Sequence, residues 1–104
     1  MQILVNHDNH VRVGEAVSAR LAGVIETSLQ RYGDRVTRIE MHLTDENTHK
    51  GGAADHRCVI EARLANLAPI AVTNRAEEFQ AAFEGALEKL RHALERALGK
   101  QQAY

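Results

Sequence analysis

The chain has very little of what staples a small protein together or marks it for a special environment. Its only cysteine, Cys58, leaves no internal disulfide and is compatible with a reducing compartment. Its only proline, Pro69, lacks a backbone donor and is tolerated at the first position of an edge strand. Tryptophan is absent and the aromatics are two Phe and two Tyr. Charge of one sign is missing too: thirteen Lys and Arg face fourteen Asp and Glu, a formal charge of −1 with His neutral. The total therefore gives no attraction to nucleic acid or anionic lipid, and a polyanion has to be met by a local patch. No apolar run approaches membrane-spanning length, and the opening MQILVNHDNH turns polar after five residues, without the apolar core of a signal peptide. The expectation is a cytoplasmic protein with no membrane partner. At 104 residues the chain can bury roughly two-thirds of its unfolded surface without metals or disulfides. One domain is expected, folded over residues 1–100 with 101–104 as a frayed tail.

What is present is a long amphipathic run, Thr73 to Lys100. Phe79, Phe83, Ala86, Leu87, Leu90, Leu94, Ala97 and Leu98 recur at the steps of three and four that line one stripe of a helix. Asn74 offers an N-cap with Glu77 placed for a capping box, and Gly99 supplies the stop. Glu77, Glu78 and Glu84 lie toward its start and Lys89, Arg91, Arg96 and Lys100 toward its end, as the helix dipole favours.

Ahead of it, Gln2–Asn6 reads as a short strand with Ile3 and Val5 inward. Glu15–Tyr32 keeps helical spacing through Val17, Leu21, Val24, Ile25, Leu29 and Tyr32, after a cap at Gly14 or a neighbour and before a stop at Gly33-Asp34. From Val36 the period switches to two: Ile39, Met41 and Leu43 alternate with Arg38, Glu40 and His42 as far as Thr44. Asp45–Asp55, with Gly51-Gly52, reads as a long loop. In His56–Ala65 the inward phase is Cys58, Ile60, Ala62 and Leu64; Asn66–Pro69 reads as a turn, and an edge strand runs on to Thr73. The order β-α-β-β-β-α predicts an α+β two-layer sandwich. Its four-stranded mixed sheet has strands one and two parallel, the rest antiparallel, and both helices on the apolar face.

Several side-chain groupings raise chemical possibilities. Asp45, His49, Asp55 and His56 surround one loop, but a loop built on Gly51-Gly52 does not promise the fixed geometry a metal needs. Lys50-Gly51-Gly52 lacks the spacing and following helix of a phosphate-binding loop. Cys58 with His42 or His56 is a formal nucleophile and base, yet an inward Cys on a strand behaves as a small hydrophobe. No metal, cofactor, small-molecule substrate or enzymatic activity is expected. Arg38, His42, Arg57 and Arg63 on the wet sheet face suit phosphates, although Glu40 and Glu61 share that face. The strands carry no aromatic on which splayed bases would stack. On the C-terminal helix Arg91 is expected to pair with Glu95.

The opening MQI-V, RYGDRV after helix one, IEMHLTDEN, C-V-I-E-A-R-L, PIAVTNRAEEFQAAFEGALEKL and the basic end RHALERALGK, in this order and spacing, resemble the ribosome hibernation promoting factor family, also called ribosome-associated inhibitor or sigma-54 modulation proteins. The resemblance covers nearly the whole chain and is to the short form, which has no second, dimerising domain. It implies a fold resembling a double-stranded-RNA-binding domain and, as partner, the rRNA of the small ribosomal subunit, in the channel that holds mRNA and tRNA. Translation would be inhibited there by a monomer acting in a stress response. The family's basic positions fall on Arg75 at the start of helix two and on Lys89, His92, Arg96 and Lys100 along its end, with Arg20 and Arg31 on helix one as further candidates. Gln80 stands where the family often has an aromatic. A competing expectation is a protein-interaction or transcription-modulating module that uses the open sheet edge or exposed sheet face.

Overall fold

The computed structural model describes residues 1–8, 13–45 and 55–99. Strand β1 (Gln2–His7) leads to helix α1 (Glu15–Leu29) and a 3-10 turn (Gln30–Arg35); β2 (Val36–Asp45), β3 (His56–Leu64) and β4 (Leu67–Ala76) follow, then helix α2 (Phe79–Leu94) and a π-type turn (Glu95–Gly99). The strands lie in the order β1-β2-β3-β4, with β1 parallel to β2 and the other pairs antiparallel. This is the expected α+β arrangement.

Alternation on the strands decides which face is dry. Ile39, Met41 and Leu43 of β2 and Cys58, Ile60 and Ala62 of β3 are fully buried, and they meet Leu21, Ile25 and Leu29 of α1 and Phe83, Ala86, Leu90 and Leu94 of α2. Each large apolar side chain removed from water this way contributes about 1.5–3 kcal/mol before the entropy of ordering the chain is subtracted. Residues of the other phase, among them Arg38, Glu40, His42, Glu61 and Arg63, face away from both helices.

Four boundaries differ from the sequence expectation. Helix α1 stops at Leu29 rather than Tyr32, and the chain tightens into the 3-10 turn, where Gly33 (φ 54°, ψ −129°) adopts a backbone conformation that only glycine takes without strain. The turn between β3 and β4 is the pair Ala65–Asn66 instead of Asn66–Pro69, with Asn66 left-handed at φ 65°, a position Asn tolerates. Strand β4 accordingly starts earlier, and Pro69 lies inside it beside a register shift opposite Ala62/Leu64, where a missing N–H does least harm. The expected loop from Asp45 loses that residue to β2; residues 46–54, including His49, lie outside the described residues, as do Lys100 and the tail 101–104.

The fourth difference concerns the start of α2. Asn74 is not its N-cap: β4 continues to Ala76, and Glu78 occupies the cap position without a side-chain hydrogen bond. Pairing with β3 as far as His56↔Ala76 outweighs the local capping signal. Asn74 instead sits on the inward phase opposite Cys58 and reaches up to α2, where its Nδ2 donates to the carbonyls of Ala82 (3.3 Å) and Ala81 (3.4 Å). Gly85 makes that approach possible, because a Cβ there would collide with the Asn74 amide. Glu77, the expected capping-box partner, has its carbonyl occupied by His56 Nδ1–H at 2.9 Å.

A Gly85→Ala substitution therefore destabilises the protein by about 1–3 kcal/mol through overpacking, although alanine is intrinsically the better helix former by about 1 kcal/mol. In urea unfolding, adding Asn74→Ala to Gly85→Ala recovers part of that loss; strictly additive effects of the two changes would show that the pair is not in contact.

Candidate nucleic-acid interface

Helix α2 presents two polar stripes. Glu84, Glu88, Arg91 and Glu95 follow at steps of four, three and four, and Lys89, His92 and Arg96 at steps of three and four, so each set is a continuous line on the helix surface. The first stripe is spent largely on contacts within the protein. Gln80, at its head, donates to Glu84 (3.1 Å) and accepts from Arg20 of α1 (3.2 Å). Glu88 takes both Arg91 (3.1 Å) and His92 (3.0 Å). Glu95 reaches Arg31 (3.1 Å) and accepts from the Tyr32 hydroxyl (3.3 Å). The expected Arg91–Glu95 pair is thus not formed, because Glu95 is drawn across to the end of α1 and Arg91 turns back one turn to Glu88. These pairs are exposed, with Arg31 61% and Glu95 58% accessible, and each is worth at most about 1 kcal/mol.

The candidate residues divide accordingly. Lys89 donates its ammonium to the carbonyl of Thr73 at 2.7 Å, tying the side of α2 to strand β4. His92 shares Glu88 with Arg91. Arg96, in the π-type turn, is exposed and has no hydrogen bond or ion pair among the described residues. Arg31 lies beside the start of that turn through Glu95, so the ends of α1 and α2 form one cluster; Arg20, bonded to Gln80, sits further along α1. Arg75 is not at the start of helix two. It lies on β4 in register with Arg57, on the sheet face turned away from α2, because the strand outruns the expected helix start. Lys100 lies outside the described residues.

Sequence reasoning missed Arg35. Its Nε donates to the Tyr32 carbonyl (3.3 Å), and the Arg31 and Arg35 guanidinium groups lie 5.0 and 5.6 Å from the Tyr32 ring centroid, adding a second cation to the cluster. The available signal was the pair of arginines four apart in RYGDR, which becomes meaningful only once the 3-10 turn wraps them about the same ring. Burial raises the Tyr32 hydroxyl pKa, Arg31 opposes this, and the hydrogen bond and charge of Glu95 add to it.

On the outward sheet face Glu40 gathers Asn6 Nδ2 (3.2 Å), His42 (3.5 Å) and Arg38 (3.8 Å), while Glu61 lies 3.7 Å from Arg63. Between them is a shallow depression of about 260 Å³ lined by Glu40, His42, Val59, Glu61 and Ala71. Cys58 and His42 belong to opposite faces of the sheet, since Cys58 is in register with Leu43, and His56 is engaged by Glu77. The nucleophile-and-base arrangement is not assembled. Among the described residues no three His, Cys, Asp or Glu side chains come together as a metal site.

A family model, sigma 54 modulation protein / S30EA ribosomal protein, matches residues 5–102. The chain belongs to this family. Two solved structures share the family's fold with it. The N-terminal domain of Protein Y from Thermus thermophilus is 18% identical, with a TM-score of 0.74 over 92% of this chain and 98% of that one. A ribosomal subunit interface protein from Coxiella burnetii is 15% identical, with a TM-score of 0.71 over 93% and 97%. A comparison with curated protein sequences gave no match. At such identities the two structures establish the fold, and the site has to be argued from this chain's own residues.

Burial pushes the Cys58 thiol up to about 12 from an ordinary 9.0. The unfolded chain releases this proton above pH 9.0 while the folded chain keeps it, so the stability it contributes is intact below pH 9.0 and is lost as pH rises toward about 12. Urea midpoints are expected to fall with rising pH in that window, less steeply in Cys58→Ala. In the folded protein at neutral pH, Cys58 should resist a thiol-specific reagent; labelling at the rate of a free thiol would contradict its burial.

Proposed function

We propose that this chain is a non-enzymatic ribosome-binding factor that occupies the mRNA/tRNA channel of the small ribosomal subunit through phosphate contacts to 16S-type rRNA and so inhibits translation. The observation that carries the reading is family membership across residues 5–102, and it is supported by His92 and Arg96 standing exposed in one stripe along α2 and the turn that follows it. The Arg31–Tyr32–Arg35 cluster extends that stripe at the end of α1. A factor of this kind works in the cytosol, here as a monomer, and no helix among the described residues is long and apolar enough to cross a membrane. The chemistry needed is positional: cations held on rigid elements displace counterions from phosphates, and no bond is made or broken. The two solved relatives are named for a protein of the subunit interface and for Protein Y, which accords with a ribosomal partner.

The competing protein-interaction reading through the strand edge draws little support. Lys89 engages the Thr73 carbonyl of β4, and Pro69 with its register shift breaks the ladder near the other end, two devices that blunt an exposed edge.

Co-sedimentation with isolated small ribosomal subunits tests the proposal. Binding should weaken steeply with salt, the logarithmic slope falling by about 0.9 for each phosphate neutralised. Replacing His92 and Arg96 together by Glu should weaken binding at least about tenfold with little change in thermal unfolding. Undiminished binding would remove those residues from the interface. No sedimentation of the unaltered protein at any salt concentration would defeat the ribosomal reading itself.

A further inference from the structure

One carboxylate oxygen joins the ends of the two helical segments. Glu95 Oε2 lies 3.1 Å from Arg31 Nη2 and accepts from the Tyr32 hydroxyl at 3.3 Å, so a guanidinium and a phenol converge on a single anionic oxygen. Such a pair of donors suits a non-bridging phosphate oxygen as well as a carboxylate, since both are anionic acceptors that a guanidinium fork matches. Other contacts place the two donors. Tyr32 is 4% exposed and belongs to the core, and the Arg31 guanidinium lies over its ring, 5.0 Å from the centroid. Glu95 is an exposed side chain in the π-type turn where α2 ends, so its carboxylate can leave without disturbing the core. It also adjoins the exposed stripe, with His92 three residues before it and Arg96 next to it.

Resting on the ribosomal reading, we infer that Arg31 and the Tyr32 hydroxyl form a phosphate seat that Glu95 fills in the free protein, and that an RNA phosphodiester takes the carboxylate's place when the chain binds. Charge makes this an exchange. A phosphate oxygen within hydrogen-bond reach of the same two donors would lie against the Glu95 carboxylate, and two anions so close repel each other. Glu95 has to swing out, and an exposed ion pair holds it only weakly. The carboxylate thereby sets which anions the seat accepts. A single small anion gains little by replacing a charge already in place. A backbone already held by His92 and Arg96 delivers its next phosphate at high effective concentration, and it displaces Glu95. The seat therefore favours a polyanion that reaches both the stripe and the end of the 3-10 segment, and Glu95 disfavours the rest.

Small-subunit binding by the unaltered protein is compared with that of Glu95→Gln, Arg31→Gln, the double variant and Glu84→Gln, with thermal unfolding of each recorded. Glu84→Gln is a change of the same charge on the same helix, at a side chain bonded to Gln80. Glu95→Gln should tighten binding about threefold to fivefold, the size of an exposed ion pair, a gain that misfolding cannot produce. Arg31→Gln should weaken binding, and in that background Glu95→Gln should bring no gain, because the seat is gone. Glu84→Gln should change binding by less than about twofold. An equal gain from Glu95→Gln with and without Arg31, or an equal gain from Glu84→Gln, would show that net charge alone acts and would overturn the inference. Unchanged or weaker binding by Glu95→Gln would overturn it too, and in each of these cases the ribosomal reading stands. If the unaltered protein does not bind at any salt concentration, the ribosomal reading fails and the phosphate seat with it.

Discussion

The seating of α2 on β4 is the constraint from which the surface follows. Only Glu77 and Glu78 separate strand from helix, so the helix folds straight back over the strand that precedes it. Two contacts then fix its height and its rotation. Asn74 under Gly85 sets how closely the backbones approach, and Lys89 on the Thr73 carbonyl, one helical turn further along, pins the same side. With the apolar stripe of Phe83, Leu87, Leu90 and Leu94 turned down into the core, rotation about the axis is no longer free. The direction in which His92 and Arg96 point is therefore a consequence of how α2 packs on β4.

The 3-10 turn after α1 completes the arrangement by absorbing the opposite charge. Arg31 and the Tyr32 hydroxyl draw Glu95 away from the chain's basic end, and Glu88 is shared between Arg91 and His92. Each link is weak in water, and their effect is on where charge appears more than on stability. Glu95 is held across to Arg31, and Glu88 within α2, while Arg96 remains exposed. The sheet repeats the theme by different means, segregating arginine and glutamate into separate rows by register. Both devices sort charge in space without changing the total.

Much of the fold was legible because its signals are long and redundant. The switch from a period of 3.6 to a period of two at Val36 marks the change from helix to strand, and Ile39, Met41 and Leu43 all report the same dry face. Boundaries were less legible, since they are settled by competition between elements. Asn74 with Glu77 reads as a capping box when taken locally; the eight register pairs that β4 makes with β3 override it. That one override moved Arg75 from a helix to the far face of the sheet. Arg35 was missed for a related reason, its meaning depending on a 3-10 turn that wraps it around Tyr32. Lys89 stands among the candidate RNA-binding residues in the sequence, whereas in the fold its partner is a backbone carbonyl sixteen residues earlier, a kind of acceptor that no side-chain pattern advertises.

A formal charge of −1 is no obstacle to a phosphate-binding role when charge is organised in this way. In salt at physiological strength, charges more than about 8 Å apart are largely screened from one another, so a phosphate at the surface responds to the row or stripe it touches. A glutamate held against an arginine within the protein contributes little field beyond that pair.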